Sequence, residues 1–212
     1  MKKKLFFSLS MLAAFVLWTW AVCTLDVQAV GPIDSSVGFA TINNAFHHLT
    51  GVHMALYVIT DWLGLVPVLF GLGFAIFGLI QWIRRKRLTR VDASLQILGG
   101  FYIVVLAVYL LFEEFVVNCR PVLINGYLEA SYPSSTTMLV LCVMPTAMMQ
   151  LHARIRNICV RRIVSISIAV FIAFMVTGRL ISGVHWFTDI VGGVLLSSGL
   201  VGMYGYICVL RR

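Results

Sequence analysis

The chain has 212 residues, 60% of them hydrophobic and only 11% charged, with a mean hydropathy of +0.97. Ordinary soluble domains carry about 25% charged residues, so this composition excludes a water-soluble globular domain and points to an integral membrane protein. Its five cysteines (23, 119, 142, 159 and 208) are scattered without a C-x-x-C pair, which argues against a metal site or a disulfide framework.

Lys2, Lys3 and Lys4 lead into an apolar run from Leu5 to Leu25. The run is long enough to span a bilayer, and we expect a retained helix, although Val27-Gln28-Ala29 has the look of a weak signal-cleavage site. The segment from Asp26 to His53 is too polar to span. Within it Phe39, Ile42, Phe46 and Leu49 recur at helical spacing and predict a short amphipathic helix at the interface. A second span is expected over about 56–83, with Asp61 near its start and a kink at Pro67. Further spans follow at about 95–117, 137–151, 163–181 and 187–210. The fourth is short, and the third ends near Glu113 and Glu114. Glycines 192, 193, 199 and 202 give the last helix small faces for close packing, as do glycines 71, 73 and 78 in the second.

The fold class is therefore all-α, one membrane domain over 1–212: a bundle of six transmembrane helices plus a short interfacial helix. Six spans place 14 of the 16 basic residues at alternate ends, on one side of the membrane. By the positive-inside rule that side is cytoplasmic and holds both termini. The net charge of +8 is then a topology signal, and no nucleic-acid partner is expected. The two remaining cations, Arg120 and Arg179, stand on the outer side.

Around them lies the candidate chemistry. Between two apolar runs sits Gly178-Arg179-Leu180-Ile181-Ser182-Gly183-Val184-His185-Trp186-Phe187-Thr188-Asp189. His185 and Asp189 are four apart and share one face if His185 opens a helix. A carboxylate beside an imidazole fixes its tautomer and stabilises its charged form. Arginine offers a planar fork of donors suited to phosphate. Polar residues at a span end are often mere interfacial anchors. Here three outer segments can converge: Arg120-Pro121, Tyr132 through Thr136, and Arg179 through Asp189.

In order and spacing these segments resemble the motifs of the type 2 phosphatidic acid phosphatase superfamily: K-x6-R-P, P-S-G-H and S-R-x5-H-x3-D on a six-helix membrane core. The resemblance covers roughly 26–210. Arg179, His185 and Asp189 fit the third motif, with Gly178 in place of its serine. The first retains Arg120-Pro121, but Glu113 stands where the lysine would fall. The second reads Pro133-Ser134-Ser135-Thr136, with Ser135 for the glycine and Thr136 for the histidine.

The resemblance implies a lipid phosphatase in the cell membrane, working on the outer face without metal or cofactor. His185 would attack phosphorus to form a phosphohistidine, and Asp189 would orient it. Arg120, Arg179, Ser134, Ser135 and Thr136 would hold the phosphoryl oxygens. Its partners would be the lipid bilayer and a phosphorylated lipid. The missing acid histidine favours a leaving group that needs no proton, hence a lipid (polyprenyl) diphosphate over a phosphomonoester. Substitute acids to consider are Glu113, Glu114, His47, His48 and His53, and Glu113 is also a candidate partner for Arg120. The rival reading is a lipid-phosphate binding or transport protein of the same fold with weak or no turnover.

Overall fold

A computed structural model describes residues 2–211. These residues form eight α-helices: α1 Lys2–Thr24, α2 Ala40–Thr50, α3 Met54–Leu63, α4 Leu65–Arg85, α5 Ala93–Glu114, α6 Ser135–His152, α7 Ile158–Ile181 and α8 Phe187–Leu210. A two-residue ladder, β1 Gln28–Ala29 against β2 Ser36–Val37, ties the α1–α2 connection. A helix stands at each of the six places where a span was expected and at the place of the expected short helix, and the protein is an all-α membrane bundle.

Among the described residues five stretches are long and apolar enough to cross a bilayer: α1, α3 with α4, α5, α7 and α8. The sixth, α6, is the central helix, and nine of its 18 residues are buried. Because protein surrounds it, it can carry Thr137, Thr146 and Gln150, which a lipid-facing helix would expose at a cost. Two of the three are satisfied inside the bundle. Thr146 donates to the Cys142 carbonyl at 2.8 Å, and Gln150 donates to Tyr204 Oη at 2.6 Å. The apolar core joins α1, α5, α6 and α8 through Phe15, Leu98, Phe101, Met138, Leu196 and Tyr204. A second cluster joins α6 to α7 through Val140, Met144, Ile168 and Met175.

Two expectations change. The second span breaks at Gly64, where α3 gives way to α4, rather than at Pro67 itself. Pro67 has no N–H to offer the carbonyl one turn back, so the ladder is released on the proline's N-terminal side. Of the glycines in this span, Gly73 and Gly78 have open space where a Cβ would stand, so they do not mediate packing. In α8 the expectation holds: a Cβ at Gly199 would meet Leu12, and one at Gly202 would meet Ser8, both on α1.

Helix alternation puts the lysines of α1, the arginines closing α4, those flanking the α6–α7 turn and Arg211 at one end. The opposite end gathers α2, the start of α3, the start of α6, the α7–α8 turn and a hairpin over 118–131. Asn125-Gly126 turns that hairpin with positive φ at both residues (51° and 84°), the backbone a tight hairpin turn requires. Its bridge pairs Cys119 with Ala130, which turns Arg120 inward.

Candidate active site

The α7–α8 turn is held from several sides. Ser182 donates through Oγ to the Arg179 carbonyl at 2.8 Å, closing α7. Gly183 follows with φ +69°, and a Cβ there would lie 2.0 Å from the Gly51 carbonyl oxygen. Only glycine fits so close an approach in that conformation. The stretch after α2 grips the turn directly. His53 N donates to the Ser182 carbonyl at 2.9 Å, and His47 Nε2 lies 3.1 Å from the Gly183 carbonyl. Because a carbonyl only accepts, His47 Nε2 carries the proton. Burial lowers the His47 pKa first and His48 adds to this, while the Gly183 carbonyl works the other way.

Trp186 caps α8. Its indole donates to the Cys119 carbonyl at 2.7 Å, fastening the hairpin to the turn. Its backbone N–H donates to Asp189 Oδ2 at 2.9 Å. His185 is left pointing into the space between these elements, only 3% exposed. Arg120 Nη1 lies 3.3 Å from His185 Nε2. A guanidinium has donors only, so Nε2 is the unprotonated nitrogen and Nδ1 carries the hydrogen. Burial pushes the His185 pKa well below the ordinary 6.5. The positive charges of Arg120 and Arg179 reinforce this, and the Ser131 backbone partly offsets it.

Asp189 does not stand as the sequence suggested. Its Oδ2 is 3.7 Å from His185 Nδ1, beyond hydrogen-bond distance. The cause is local: as the third residue of α8, Asp189 reaches back to its own helix cap, the Trp186 N–H. Asn118 Nδ2 approaches its other oxygen at 3.5 Å. The carboxylate faces the imidazole as a charge rather than as a hydrogen-bond acceptor.

Arg179, 1% exposed, extends from the last turn of α7 toward the start of α6. Its Nη2 donates to Thr136 Oγ1 at 2.6 Å and to Asp61 Oδ1 at 3.3 Å. The ring of Tyr57 underlies both arginines, 4.9 Å from the Arg179 guanidinium carbon and 5.9 Å from that of Arg120. Arg120 Nε stands 3.0 Å from Glu129 Oε2 with its N–H out of line, so the pair is electrostatic rather than hydrogen-bonded. The sequence suggested Glu113 as that partner. Glu113 is instead exposed at the end of α5, and the hairpin supplies the carboxylate.

The start of α6 completes the site. Ser134 precedes the helix and makes no side-chain cap, so the first backbone N–H groups of α6 have no intrahelical acceptor. Such an end favours anions. Around it Ser134 Oγ, Thr137 Oγ1, Arg179 Nε and Nη1 are buried without a protein partner. Buried donors are normally satisfied, and several at one helix start are able to take the oxygens of an anion. A Cβ on Gly192 would lie 2.7 Å from the Tyr132 ring, and one on Gly193 would lie 3.4 Å from the Ser134 carbonyl. This close approach lets α8 hold the Tyr132–Ser134 segment in place.

The structure therefore brings together Arg120, Ser134, Thr136, Arg179, His185 and Asp189. Ser135 is half-buried on the side facing a cleft between α4, α5 and α6. That cleft, about 590 Å³, is almost wholly apolar (Val68, Leu72, Val105, Leu106), with Asp61, Ser135 and Thr136 on its wall. Tyr57, Asn118, Glu129 and Thr137 were not singled out from the sequence. Asp61 carried a signal, because an acid inside an apolar run is costly.

A family model described as the PAP2 superfamily matches residues 102–211. No curated protein sequence matches the chain. Among solved structures, one described as "the first transmembrane PAP2 type phosphatidylglycerolphosphate phosphatase from Bacillus subtilis" is similar to it. The TM-score is 0.59 at 19% identity, over 98% of each chain. At that identity the likeness is one of fold.

Proposed function

The chain belongs to the PAP2 superfamily, and on that premise we propose that it is a membrane lipid phosphatase that works through a phosphohistidine on His185. One observation carries the reading: a neutral histidine stands beside a cluster of buried, unpaired donors at a helix start.

The chemistry follows from those atoms. An incoming phosphoryl group draws Arg120 onto its oxygens and so releases His185 Nε2. The Nε2 lone pair attacks the terminal phosphorus as its bond to the leaving-group oxygen breaks, that of a lipid alkoxide in a monoester or of a lipid monophosphate in a diphosphate. Arg120, Arg179, Ser134, Ser135, Thr137 and the first amides of α6 meet the charge on the equatorial oxygens, acting by positioning and electrostatics. The imidazolium so formed keeps its Nδ1 hydrogen and gains from the Asp189 carboxylate nearby. Water then cleaves the phosphohistidine.

Thr136 accepts a hydrogen bond from Arg179 and is no acid near neutral pH. Loss of general acid catalysis costs roughly 10²–10⁴-fold where the leaving group is an alkoxide, and much less where it is a phosphate. This favours a polyprenyl diphosphate as substrate. With the basic end cytoplasmic, both termini lie inside and the site opens outward.

The test is phosphate release by purified protein in detergent, offering phosphatidic acid and a polyprenyl diphosphate with His185→Ala as control. Release that vanishes in the variant, and is faster from the diphosphate, is expected. The rival, a lipid-phosphate binder with little turnover, draws support from Asp61 holding Arg179. It would be favoured by saturable binding of either lipid without release.

A further inference from the structure

We propose that Asp61 is the general base that activates water to hydrolyse the phosphohistidine. This rests on the phosphatase reading and adds a residue to it. Asp61 lies on α3, outside all three segments that carry the family's motifs. Its Oδ1 is 3.3 Å from Arg179 Nη2, the same nitrogen that holds Thr136 Oγ1 at 2.6 Å. The carboxylate therefore stands next to the side chain occupying the position of the family's acid–base histidine. Its side chain is 57% exposed, and it lines the apolar cleft together with Thr136 and Ser135. Among the described residues Asp61 is the one acid on that cleft wall.

Placement decides the role. Displacement at phosphorus is in line, so the leaving group departs on the side away from His185, and the second nucleophile must enter from there. His185 does not line the cleft, whereas Thr136 and Asp61 do. The cleft is apolar enough for the departing lipid, and water follows into the space its head leaves. As a carboxylate, Asp61 is a proton acceptor and not a donor. That suits the second step and leaves the first without an acid, which a diphosphate leaving group tolerates.

The step balances. The water oxygen forms a bond to phosphorus while the P–Nε2 bond breaks and returns its electron pair to His185. The water proton passes to Asp61 Oδ and then to solvent. Arg179 holds both the phosphoryl oxygen and the carboxylate, which sets the distance between them.

The experiment is turnover and phosphoenzyme trapping with ³²P-labelled polyprenyl diphosphate, labelled at the terminal phosphate, for wild type, Asp61→Asn, Asp61→Glu and Asp61→Asn with Thr136→His. Expected is a loss in kcat of roughly 100-fold or more for Asp61→Asn. Acid-labile, His185-dependent label should build up in that variant, with partial recovery in Asp61→Glu. Thr136→His should restore turnover in the double variant. A rise in kcat or in kcat/KM for Asp61→Asn would mean that Asp61 merely competes with phosphate for Arg179, and would overturn the proposal, because a slowed second step lowers kcat and KM together and leaves kcat/KM unchanged. So would a fall in kcat without accumulated label. Failure of wild type to release phosphate in a His185-dependent way would sink the phosphatase reading instead, a separate result.

Discussion

The two halves of the chain contribute unequally to the polar end. Residues 102–211, the half matched by the family model, supply Arg120, Ser134, Thr136, Thr137, Arg179, His185 and Asp189. The N-terminal half supplies what surrounds them. Tyr57 lies under both guanidiniums, Asp61 binds Arg179, His47 and Gly51 pack on the α7–α8 turn, and Asn43 bonds α8. Asn43 Nδ2 donates to Thr188 Oγ1 at 2.9 Å and to the Gly38 carbonyl at 2.8 Å, while its Oδ1 accepts the Thr188 N–H at 3.2 Å. In the proposed mechanism one half thus holds the atoms that meet phosphorus, and the other sets how they are held and what approaches them. Substitutions in the first should change rate; those in the second should change stability or a single step.

Among substitutions that compare the halves, the largest effect should come from Arg179→Lys. An ammonium is a compact point charge and cannot hold Thr136 and a phosphoryl oxygen with separate nitrogens of one plane. Loss of one such oxyanion donor lowers kcat by about 10²–10³-fold. Tyr57→Leu, from the other half, removes only the aromatic face beneath the cations, worth about 0.5–2 kcal/mol. Steady-state kinetics on both variants sharpen the comparison, and equal losses would break it.

Gly183→Ala comes next and strikes where the halves meet. The added Cβ has nowhere to go, 2.0 Å from the Gly51 oxygen at φ +69°. Strain of this kind costs of order 1–3 kcal/mol, so the melting temperature in detergent should fall by several degrees. An unchanged melting curve would show that α2 does not brace the turn.

The smallest effect concerns pH. His185 is held below its ordinary value by burial and by Arg120 and Arg179, so it stays neutral through the physiological range. A depressed histidine favours the folded state above the unfolded value near 6.5, and that contribution is lost as pH falls from there through the lowered folded value. The kcat/KM profile should therefore stay flat from pH 8 down to about 6.5, with its acid limb lying lower. An acid limb centred at or above that value would contradict the neutral resting state.

Composition and charge distribution were enough to determine a membrane bundle, where its long helices lie and the end at which the lone arginines stand. These are properties of contiguous runs: twenty apolar residues must span, and hydrated cations must stay out of hydrocarbon. Motif spacing likewise singled out Arg179, His185 and Asp189. Tertiary structure decided the rest. Asp189 turned to its own helix cap, because a free N–H lay closer than the imidazole. Arg120 met Glu129 and not Glu113, since a hairpin brings residues nine apart together while the end of α5 points away. Tyr57 and Asp61 reached the site because α3 and α7 pack side by side, a contact across more than a hundred residues. No local pattern encodes such a neighbour, because the packing of whole helices chooses it.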